Sequence, residues 1–575
     1  MSGGLKVLIV GGYGTFGGRI VTLLENVTGL TLLIAGRSLE RARAFRAARG
    51  DTAATLVAMA FDRDGDIDTP LALERPTILV DASGPFQAYG ERRYRVIETC
   101  IEHGINYLDL ADGSAFVAGV SAFDAKARSA GVFVLSGVSS FPVLTAAVVR
   151  HLADGMTGIA TIRGGIAPSP FAGVGENVIR AIAGYAGQPV PLRRDGVVRY
   201  GHPFTEHMRY TIAPPGEVPL RARLFSLVDV PDLTALAVLW PGARSIWMGA
   251  APVPEMLHRM LVMLAWLVRL RIVAALSRLA PLMLFAMNHL RWGEHRGGMF
   301  VAVEGTDASG AALRRSWHMI AEGDDGLLIP SMAVEAIVRG LISGRRPPHG
   351  ARASVRDLEL TDYESLFAGR TIVCGVRDAR EERSASLYAR LLGTAYDRLP
   401  PEIRAMHGTD GTAIAEGRAS VERGGGLLSR LAGALIGFPA ATPDTPVRVR
   451  FDVADRAETW TRTFGERSFS SRQFAGMGGD GGLLCERFGP LTFAMAVFVR
   501  GGRLELVLRG WRMFGVPLPL TLGPRANAFE TAMDGKFHFH VEIGHPLTGL
   551  IVRYRGWLTP VRPEMLEASA TRGVT

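Results

Sequence analysis

Closely spaced glycines near the amino terminus form the pattern in this chain that points most directly to chemistry. The run from Val10 to Gly18 reads VGGYGTFGG and stands between a stretch typical of a strand and one typical of a helix. In that context Gly12 permits a tight turn, Gly14 lets the backbone approach a pyrophosphate, and Gly17 allows close packing of helix on strand. Glycine-rich turns also serve plain strand-to-helix connections, but the full spacing favours a dinucleotide whose phosphates meet the helix end. The expected contact residues are Gly11, Gly12, Tyr13, Gly14, Thr15, Phe16 and Gly17.

The end of the second predicted strand indicates which dinucleotide is bound. Enzymes that use NAD usually carry an Asp or Glu there for the ribose hydroxyls. This chain instead reads Ile34 to Ser38, IAGRS, with no acid. Arg37 can pair with a 2′-phosphate through its planar guanidinium, and Ser38 adds a hydroxyl donor at the start of a helix. We therefore expect NADP(H) rather than NAD(H), with a solvated surface arginine as the alternative interpretation of Arg37.

Further ligand contacts are expected after the next strands, because ligands of doubly wound sheets bind outside the carboxyl ends of the strands. Asp62 follows the third strand and is expected near the adenine side. Ser83, Gly84 and Pro85 follow the fourth strand and are expected beside the nicotinamide half.

Acid and base chemistry is expected after the fifth strand, where Tyr107, Asp109 and Asp112 occur. Hydride transfer to a carbonyl or imine needs a proton donor near the accepting atom. Asp112 or Tyr107 could donate that proton directly or through water. A structural role for both residues is the alternative.

The elements around these residues predict the fold. From Leu5 to about Gly137, apolar runs of strand length alternate with helical stretches, as a parallel sheet requires. We predict an α/β protein with a doubly wound Rossmann domain at 1–150, an α+β substrate and dimerisation domain at 151–378, and a mostly β domain at 385–562. The strands predicted in the first domain are Leu5–Val10, Thr31–Ala35, Thr55–Ala60, Thr77–Ala82, Asn106–Leu110 and Val132–Ser136.

The most apolar segment, Leu257–Leu290, is interrupted by four arginines and broken by Pro281. It lacks the roughly 18 uninterrupted apolar residues expected of a spanning helix. One interpretation is a buried or dimer-forming helical hairpin. The other is an amphipathic segment resting on a membrane with its arginines at headgroup level.

Composition excludes several classes of function. The net charge of +9 in 575 residues comes almost wholly from scattered arginines, which argues against nucleic-acid binding. The three cysteines lie far apart, and His538 and His540 have no third ligand nearby, so no metal site is expected. The amino terminus lacks the features of a signal peptide. We expect a cytoplasmic protein, with peripheral contact at the inner membrane surface left open.

Besides the glycine turn, the first part of the chain contains the motifs Ala35-Gly36-Arg37, Val80 to Phe86, Tyr89-Gly90, Asn106 to Leu110 and Ser136 to Val138. Together these motifs resemble the saccharopine dehydrogenase-like oxidoreductases over about the first 150 residues, and a looser likeness extends through Trp317 to Pro330. The carboxy-terminal part contains Leu387-Tyr388, Arg509 to Trp511 and Tyr554 to Trp557, and it resembles a bacterial domain of unassigned function.

The resemblance implies an NAD(P)-binding oxidoreductase with a substrate domain behind the nucleotide fold, without implying saccharopine as substrate. We expect a homodimer that transfers hydride to or from a carbonyl, imine or activated double bond of a small molecule. The apolar segment 257–290 slightly favours a hydrophobic or lipid-linked substrate. The alternatives are reductive amination of the saccharopine or carboxynorspermidine type, and a protein that binds NADP without turnover.

Overall fold

The computed structural model describes residues 4–173 and 175–561. The chain divides into two structural units. The first contains Met1–Met208 and Arg223–Val373, and the second contains Arg209–Ala222 and Cys374–Thr575. The first unit therefore includes nearly all of the regions predicted as the first and second domains. Residue 562, the predicted end of the third domain, lies outside the described residues.

The strands up to residue 378 are β1 (Leu5–Val10), β2 (Leu30–Gly36), β3 (Thr55–Ala60), β4 (Ile78–Asp81), β5 (Asn106–Asp109), β6 (Phe133–Ser136), β7 (Gly158–Ala167), β8 (Val190–Arg194), β9 (Val197–Gly201), β10 (His207–Ile212), β11 (Leu220–Leu227), β12 (Ser245–Ala250), β13 (Arg296–Thr306), β14 (Ala312–Glu322), β15 (Gly350–Ala353) and β16 (Ile372–Asp378).

The helices of the chain are α1 (Thr15–Leu24), α2 (Leu39–Ala47), α3 (Asp68–Glu74), α4 (Arg95–Glu102), α5 (Ser114–Gly119), α6 (Asp124–Ser129), α7 (Thr145–Leu152), α8 (Glu176–Tyr185), α9 (Asp232–Leu239), α10 (Glu255–Arg269), α11 (Ala280–His289), α12 (Asp325–Ile342), α13 (Leu360–Phe367), α14 (Ala379–Ser384), α15 (Leu387–Leu392), α16 (Pro401–His407) and α17 (Leu427–Ile436).

The first sheet is parallel and has the doubly wound order β15-β6-β5-β4-β1-β2-β3. Its central strand β1 is apolar on both faces, and Val7, Leu8 and Ile9 are fully buried, as expected where helices cover both faces. The sheet has seven strands rather than the predicted six. The added strand, β15, pairs in parallel with β6 and comes from far along the chain. It was missed because a four-residue strand with the sequence GARA has no recognisable apolar run.

A second, mixed sheet contains β11, β12, β7, β13 and β14 in that order. Strand β12 runs parallel to β7, whereas β13 is antiparallel to both β7 and β14. Helix α12 follows this sheet and packs on α1, where the Ser331 hydroxyl donates a 3.3 Å hydrogen bond to the Phe16 carbonyl. The glycine turn is thereby fixed to the second sheet through α1. The predicted α/β class is confirmed.

The apolar segment 257–290 forms two helices, α10 and α11, and α11 packs on α8. Five apolar side chains along α10 and its C-cap residue recur every three or four residues and are between 36% and 63% exposed: Met256, Met260, Met263, Leu267 and Leu270. This spacing places them on one helix face. The interpretation of the segment as buried is therefore wrong for this face, because the apolar stripe points away from the core of its own unit. Among the described residues, no helix is long and apolar enough to cross a membrane.

The second unit contains a closed antiparallel barrel, which confirms the predicted mostly β domain. Ten strands follow one another in the order β22-β21-β20-β19-β18-β17-β27-β26-β25-β23, and pairing of β22 with β23 closes the ring. The strands of this region are β17 (Thr412–Arg423), β18 (Thr442–Ala454), β19 (Ala457–Phe464), β20 (Arg467–Ala475), β21 (Leu484–Phe488), β22 (Leu491–Arg500), β23 (Arg503–Met513), β24 (Val516–Leu518), β25 (Arg525–Met533), β26 (Lys536–His545) and β27 (Gly549–Pro560).

Candidate nucleotide-binding and active site

The glycine turn after β1 is crowded by backbone on one side. Gly11 has a φ of 77°, a conformation that favours glycine. A Cβ on Gly12 would lie 2.9 Å from the Ile9 carbonyl oxygen, and one on Gly17 would lie 2.9 Å from the Gly12 Cα. Side chains at Gly12 and Gly17 would therefore separate α1 from the turn.

Gly14 differs from these glycines because the space beside it is open. A Cβ there would meet only the Gly11 carbonyl oxygen, at 3.1 Å. Gly14 is the N-cap of α1 in an extended conformation, with φ −83°. The first N–H groups of a helix have no partner within the helix and can bind an anion. The turn thus offers a cradle for a pyrophosphate, in which Thr15 is exposed and Phe16 is half-buried.

At the end of β2, two arginines and two hydroxyl groups lie near the turn: Arg37, Arg41, Tyr13 and Ser38. The Tyr13 hydroxyl accepts a 3.1 Å hydrogen bond from the Ser38 backbone N–H, and its ring covers Gly36, where a Cβ would lie 2.5 Å from the ring. Ser38 caps α2 by accepting from the Arg41 N–H, and the Arg41 guanidinium lies 5.0 Å from the Tyr13 ring centroid. Arg41 was not predicted, although it stands three residues after the helix cap.

Arg37 is exposed, and within residues 4–173 and 175–561 its guanidinium has no ion pair or hydrogen bond. A planar cation without an internal partner at this strand end is suited to a ribose phosphate. Asp62 is also exposed, at the end of the neighbouring β3, and accepts a 3.2 Å hydrogen bond from the Asp64 N–H.

The loop after β4 is held by internal contacts. Ser83 donates a 2.5 Å hydrogen bond to Asp81, and its hydroxyl lies 2.8 Å from that of Tyr89. The Asn177 amide donates to the carbonyl oxygens of Ser83 and Gly84, at 3.2 and 2.9 Å. The Ser83 side chain therefore shapes the loop, which continues through Gly84 and Pro85.

The start of α8, which carries Asn177, also approaches the glycine turn. A Cβ on Gly175, the N-cap of α8, would lie 3.3 Å from the Thr15 hydroxyl oxygen. The start of α8 thus approaches both the glycine turn and the loop after β4. Neither Gly175 nor Asn177 was predicted, because nothing in the sequence indicates that α8 folds back onto residues from the first domain.

The three residues proposed after β5 lie in different surroundings. Tyr107 is 1% exposed in the core of the first sheet, and burial raises the pKa of its hydroxyl well above the usual value. Asp109 is fully buried and accepts hydrogen bonds from the Ser136 hydroxyl and the Gly137 and Ala111 N–H groups. Burial raises its pKa to about 7. Tyr107 is thus enclosed in the core, where it cannot reach a substrate, and the hydrogen bonds of Asp109 tie β5 to the loop after β6.

Asp112, by contrast, stands beyond the end of β5 and is half-buried. The Gln87 amide donates a 3.0 Å hydrogen bond to its carboxylate. Burial raises the pKa of Asp112. Of the two proposed proton donors, Asp112 is the one at the carboxyl edge of the sheet.

A second carboxylate, Asp229, lies near Asp112. It follows β11 and accepts a 2.5 Å hydrogen bond from the Ser114 hydroxyl. Burial raises the pKa of Asp229, and the negative charge of Asp112 raises it further. The pKa of Tyr185 is raised by burial and by the charges of both carboxylates. This acidic cluster of Asp112, Asp229, Ser114 and Tyr185 can hold a proton, and sequence reasoning identified only Asp112.

No group of three or more His, Cys, Asp or Glu side chains suited to a metal ion occurs among the residues that the structure describes.

Comparison with protein families defines the class of this fold and site. Residues 7–135 match the family model of the saccharopine dehydrogenase NADP binding domain. The chain thus carries a nicotinamide dinucleotide-binding domain of the kind found in NAD(P)-dependent oxidoreductases. Residues 399–558, which include most of the barrel, match a domain of unknown function (DUF4166). The amino-terminal domain is therefore of the saccharopine dehydrogenase type, as the sequence motifs indicate.

Solved structures with low sequence identity also resemble the chain. Apo saccharopine dehydrogenase (L-Glu forming) from Saccharomyces cerevisiae is 14% identical, and the match covers 65% of this chain and 100% of that one with a TM-score of 0.45. A myo-inositol dehydrogenase from Corynebacterium glutamicum is 14% identical, covering 64% of this chain and 98% of that one with a TM-score of 0.29. None of the curated proteins matches the chain.

Proposed function

We propose that this protein is an NADP(H)-dependent oxidoreductase that reduces or oxidises a small molecule at a carbonyl, imine or activated double bond. The observation that carries the proposal is the acidic cluster at the carboxyl edge of the sheet, in the same unit as the dinucleotide cradle. The bound nicotinamide supplies or accepts the hydride. The residues of the chain bind the dinucleotide, orient the substrate and exchange the accompanying proton.

Asp112 is the proton donor in this proposal. A carboxyl with a raised pKa keeps its proton to a higher pH, and an acid works best when its pKa approaches the working pH. Gln87 orients the Asp112 carboxyl through its 3.0 Å hydrogen bond. The negative charge of Asp112 in turn raises the pKa of the neighbouring Asp229. We expect Asp112→Asn to lower kcat by about a hundredfold while NADPH affinity stays unchanged.

Preference for the 2′-phosphate is assigned to Arg37, with Ser38 and Arg41 beside it. Calorimetric titration with NADPH and NADH tests this assignment. Arg37→Ala should weaken NADPH binding about tenfold and leave NADH binding unchanged, because only NADPH carries the additional phosphate. Arg43→Ala removes another exposed arginine of α2 and is the matched control. Equal losses for both nucleotides in Arg37→Ala would contradict the assignment.

A hydrophobic or lipid-linked substrate is part of the proposal, and the apolar stripe on α10 supports it. Met263 and Leu270 are 63% and 61% exposed there. The guanidinium of Arg269 lies 4.6 Å from the ring centroid of the neighbouring Trp266. An exposed apolar face flanked by Trp and Arg is typical of contact with a membrane surface. In this proposal the protein works in the cytoplasm and touches the inner membrane through the stripe.

Vesicle flotation and sedimentation together test this contact. Met263→Glu should abolish flotation with anionic vesicles, whereas Leu73→Glu, at a 77% exposed leucine of α3, should not. If the wild type does not float and sediments as a dimer that Met263→Glu dissociates, the stripe is instead a homodimer interface and the membrane proposal fails.

Reductive amination of a polar amino-acid derivative is the second candidate function. It is favoured by the two neighbouring carboxylates Asp112 and Asp229, which can pair with an ammonium group. A screen of NADPH oxidation with aliphatic aldehydes, ketones and enones, and with 2-oxo acids plus amino acids, separates the two candidates. NADPH binding without turnover of any of these classes would favour a protein that only senses the nucleotide.

A further inference from the structure

The barrel of the second unit encloses an apolar cavity. Along β18 the side chains of Val447, Val449 and Phe451 are buried, whereas the intervening Arg448 and Arg450 are exposed. This alternation aims every second side chain at the barrel axis. Interior side chains just fill a barrel of about eight strands, and a wider barrel leaves room for a ligand. The ten-stranded ring accordingly contains a cavity of about 480 Å³.

The size and lining of this cavity are those of a ligand site. Small-molecule pockets typically measure about 300–1,000 Å³. Most of the lining is aliphatic or aromatic, as on β23 and β26, where Leu506, Leu508, Phe539, Val541 and Ile543 contribute. Protein interiors contain few voids larger than a water molecule, and apolar cavities of far smaller volume stay dry and take up apolar molecules. The lining therefore favours an apolar occupant over water.

Arg462 and Glu486, the buried ion pair that lines the cavity, form a hydrogen-bonded network with their neighbours. Arg462 pairs with Glu486 at 3.0 Å, and Glu486 also accepts hydrogen bonds from Ser471 and Gln473. The Tyr388 hydroxyl donates to the Gln473 side-chain oxygen at 2.9 Å. Because this network satisfies its own charges, it does not require a charged ligand group in the interior.

One end of the barrel is closed. Residues of α15 and α16 belong to the same buried cluster as the inward-facing strand residues. The Tyr388 ring stacks on His407 with centroids 3.7 Å apart, and the His407 ring nitrogen lies 2.6 Å from the Glu530 carboxylate. These two helices therefore plug the end at which β25 turns into β26.

The opposite end carries an exposed apolar rim. Leu428 of α17, Leu522 before β25 and Leu547 between β26 and β27 line the cavity and are yet 59%, 60% and 80% exposed. Leu427 and Leu431 of α17 are 80% and 67% exposed. Apolar surface thus continues from the cavity to the solvent at this end, and an aliphatic chain can enter along it.

We propose that the carboxy-terminal barrel binds a long aliphatic chain, with the chain inside the cavity and its polar end at the rim. The chain is either that of a free fatty acid or the acyl chain of a membrane lipid. This site is separate from the dinucleotide cradle, and the proposal holds whether or not the first unit catalyses hydride transfer.

Binding of dansyl-undecanoic acid to the purified full chain tests the proposal. Entry of the probe into the cavity should raise and blue-shift its fluorescence, and oleate should displace it. Displacement by phosphatidylcholine vesicles as well would assign the source to the bilayer, whereas displacement by oleate alone would assign it to free fatty acid. Absence of probe binding, or a bound probe that neither competitor displaces, would overturn the proposal.

Two tryptophan substitutions on β23 provide a matched comparison. Leu508→Trp fills the cavity and should weaken probe binding about tenfold. Val507→Trp adds the same side chain to a 39% exposed neighbour and should leave binding unchanged. Ala528→Phe, at another lining position, covers the case in which Leu508→Trp fails to fold. Full-strength probe binding in both folded cavity variants would refute the site.

Discussion

Substitution of Gly14 tests the dinucleotide cradle most directly, because the folded chain and the bound ligand respond to it differently. Gly14 has an extended backbone that any residue can adopt, and its Cβ position is open apart from the Gly11 carbonyl oxygen at 3.1 Å. Gly14→Leu should therefore fold. Its side chain would occupy the space through which phosphates reach the first N–H groups of α1.

The expected magnitude follows from the hydrogen bonds that would be lost. A hydrogen bond to a charged group contributes about 1.5–3 kcal/mol, so losing one or two costs about 3 kcal/mol, or roughly a hundredfold in Kd. Titration with NADPH by fluorescence measures this loss, and thermal unfolding verifies that the variant is folded. Gly50→Leu, at an exposed glycine of the same domain with nothing near its Cβ, is the control. A folded Gly14→Leu variant that binds NADPH within about threefold of the wild type would refute the cradle.

Three further changes test the fold around the sites. Gly17→Ala should lower the free energy of unfolding by about 1–3 kcal/mol, seen in urea titrations, because its Cβ meets the turn backbone. Asp109 has a pKa raised from 3.8 to about 7 in the folded chain, so the native state holds its proton more tightly between those values. Stability should fall as pH rises through this window, by up to about 1.4 kcal/mol per unit, and Asp109→Asn should flatten that dependence; an unchanged profile would contradict the assignment. Arg462→Met should lower the free energy of unfolding by about 3–5 kcal/mol, because it leaves the Glu486 charge buried without its ion-pair partner. Adding Glu486→Gln should restore much of this free energy, and thermal unfolding measures both effects.

The elements of the first sheet could be predicted to within about two residues because several local signals agree there. Continuous apolar runs mark strands buried on both faces, and glycines or a serine cap mark where the helices begin. The observed β1 and β3 have the predicted bounds. The seventh strand and the closure of the barrel could not be predicted in this way. Both depend on which strands pair, such as β15 with β6 and β22 with β23. The sequence of a single strand does not indicate the strand with which it pairs.

Prediction of the candidate active site failed where it relied on strand position alone. Tyr107 belongs to β5, and a strand in the middle of a parallel sheet is covered on both faces, so its side chains are enclosed whichever way they point. Asp112 reaches the edge because it comes three residues after the strand ends. In a doubly wound sheet, side chains within an interior strand are thus enclosed in the core, whereas residues just past the strand lie at the edge where ligands bind.

Asp229, the second acid of the cluster, could not be predicted from the sequence for a different reason. Asp229 lies in the loop after β11, more than a hundred residues further along the chain, where an acid has no distinguishing neighbours in sequence. Its significance arises only when folding buries it near Asp112, since burial and like charge together raise its pKa. An acid that is unremarkable in sequence can therefore become a proton-holding group through its surroundings. The shape of the glycine turn depends on residues that are adjacent in sequence, whereas the acidic cluster depends on tertiary electrostatics, which the sequence does not display.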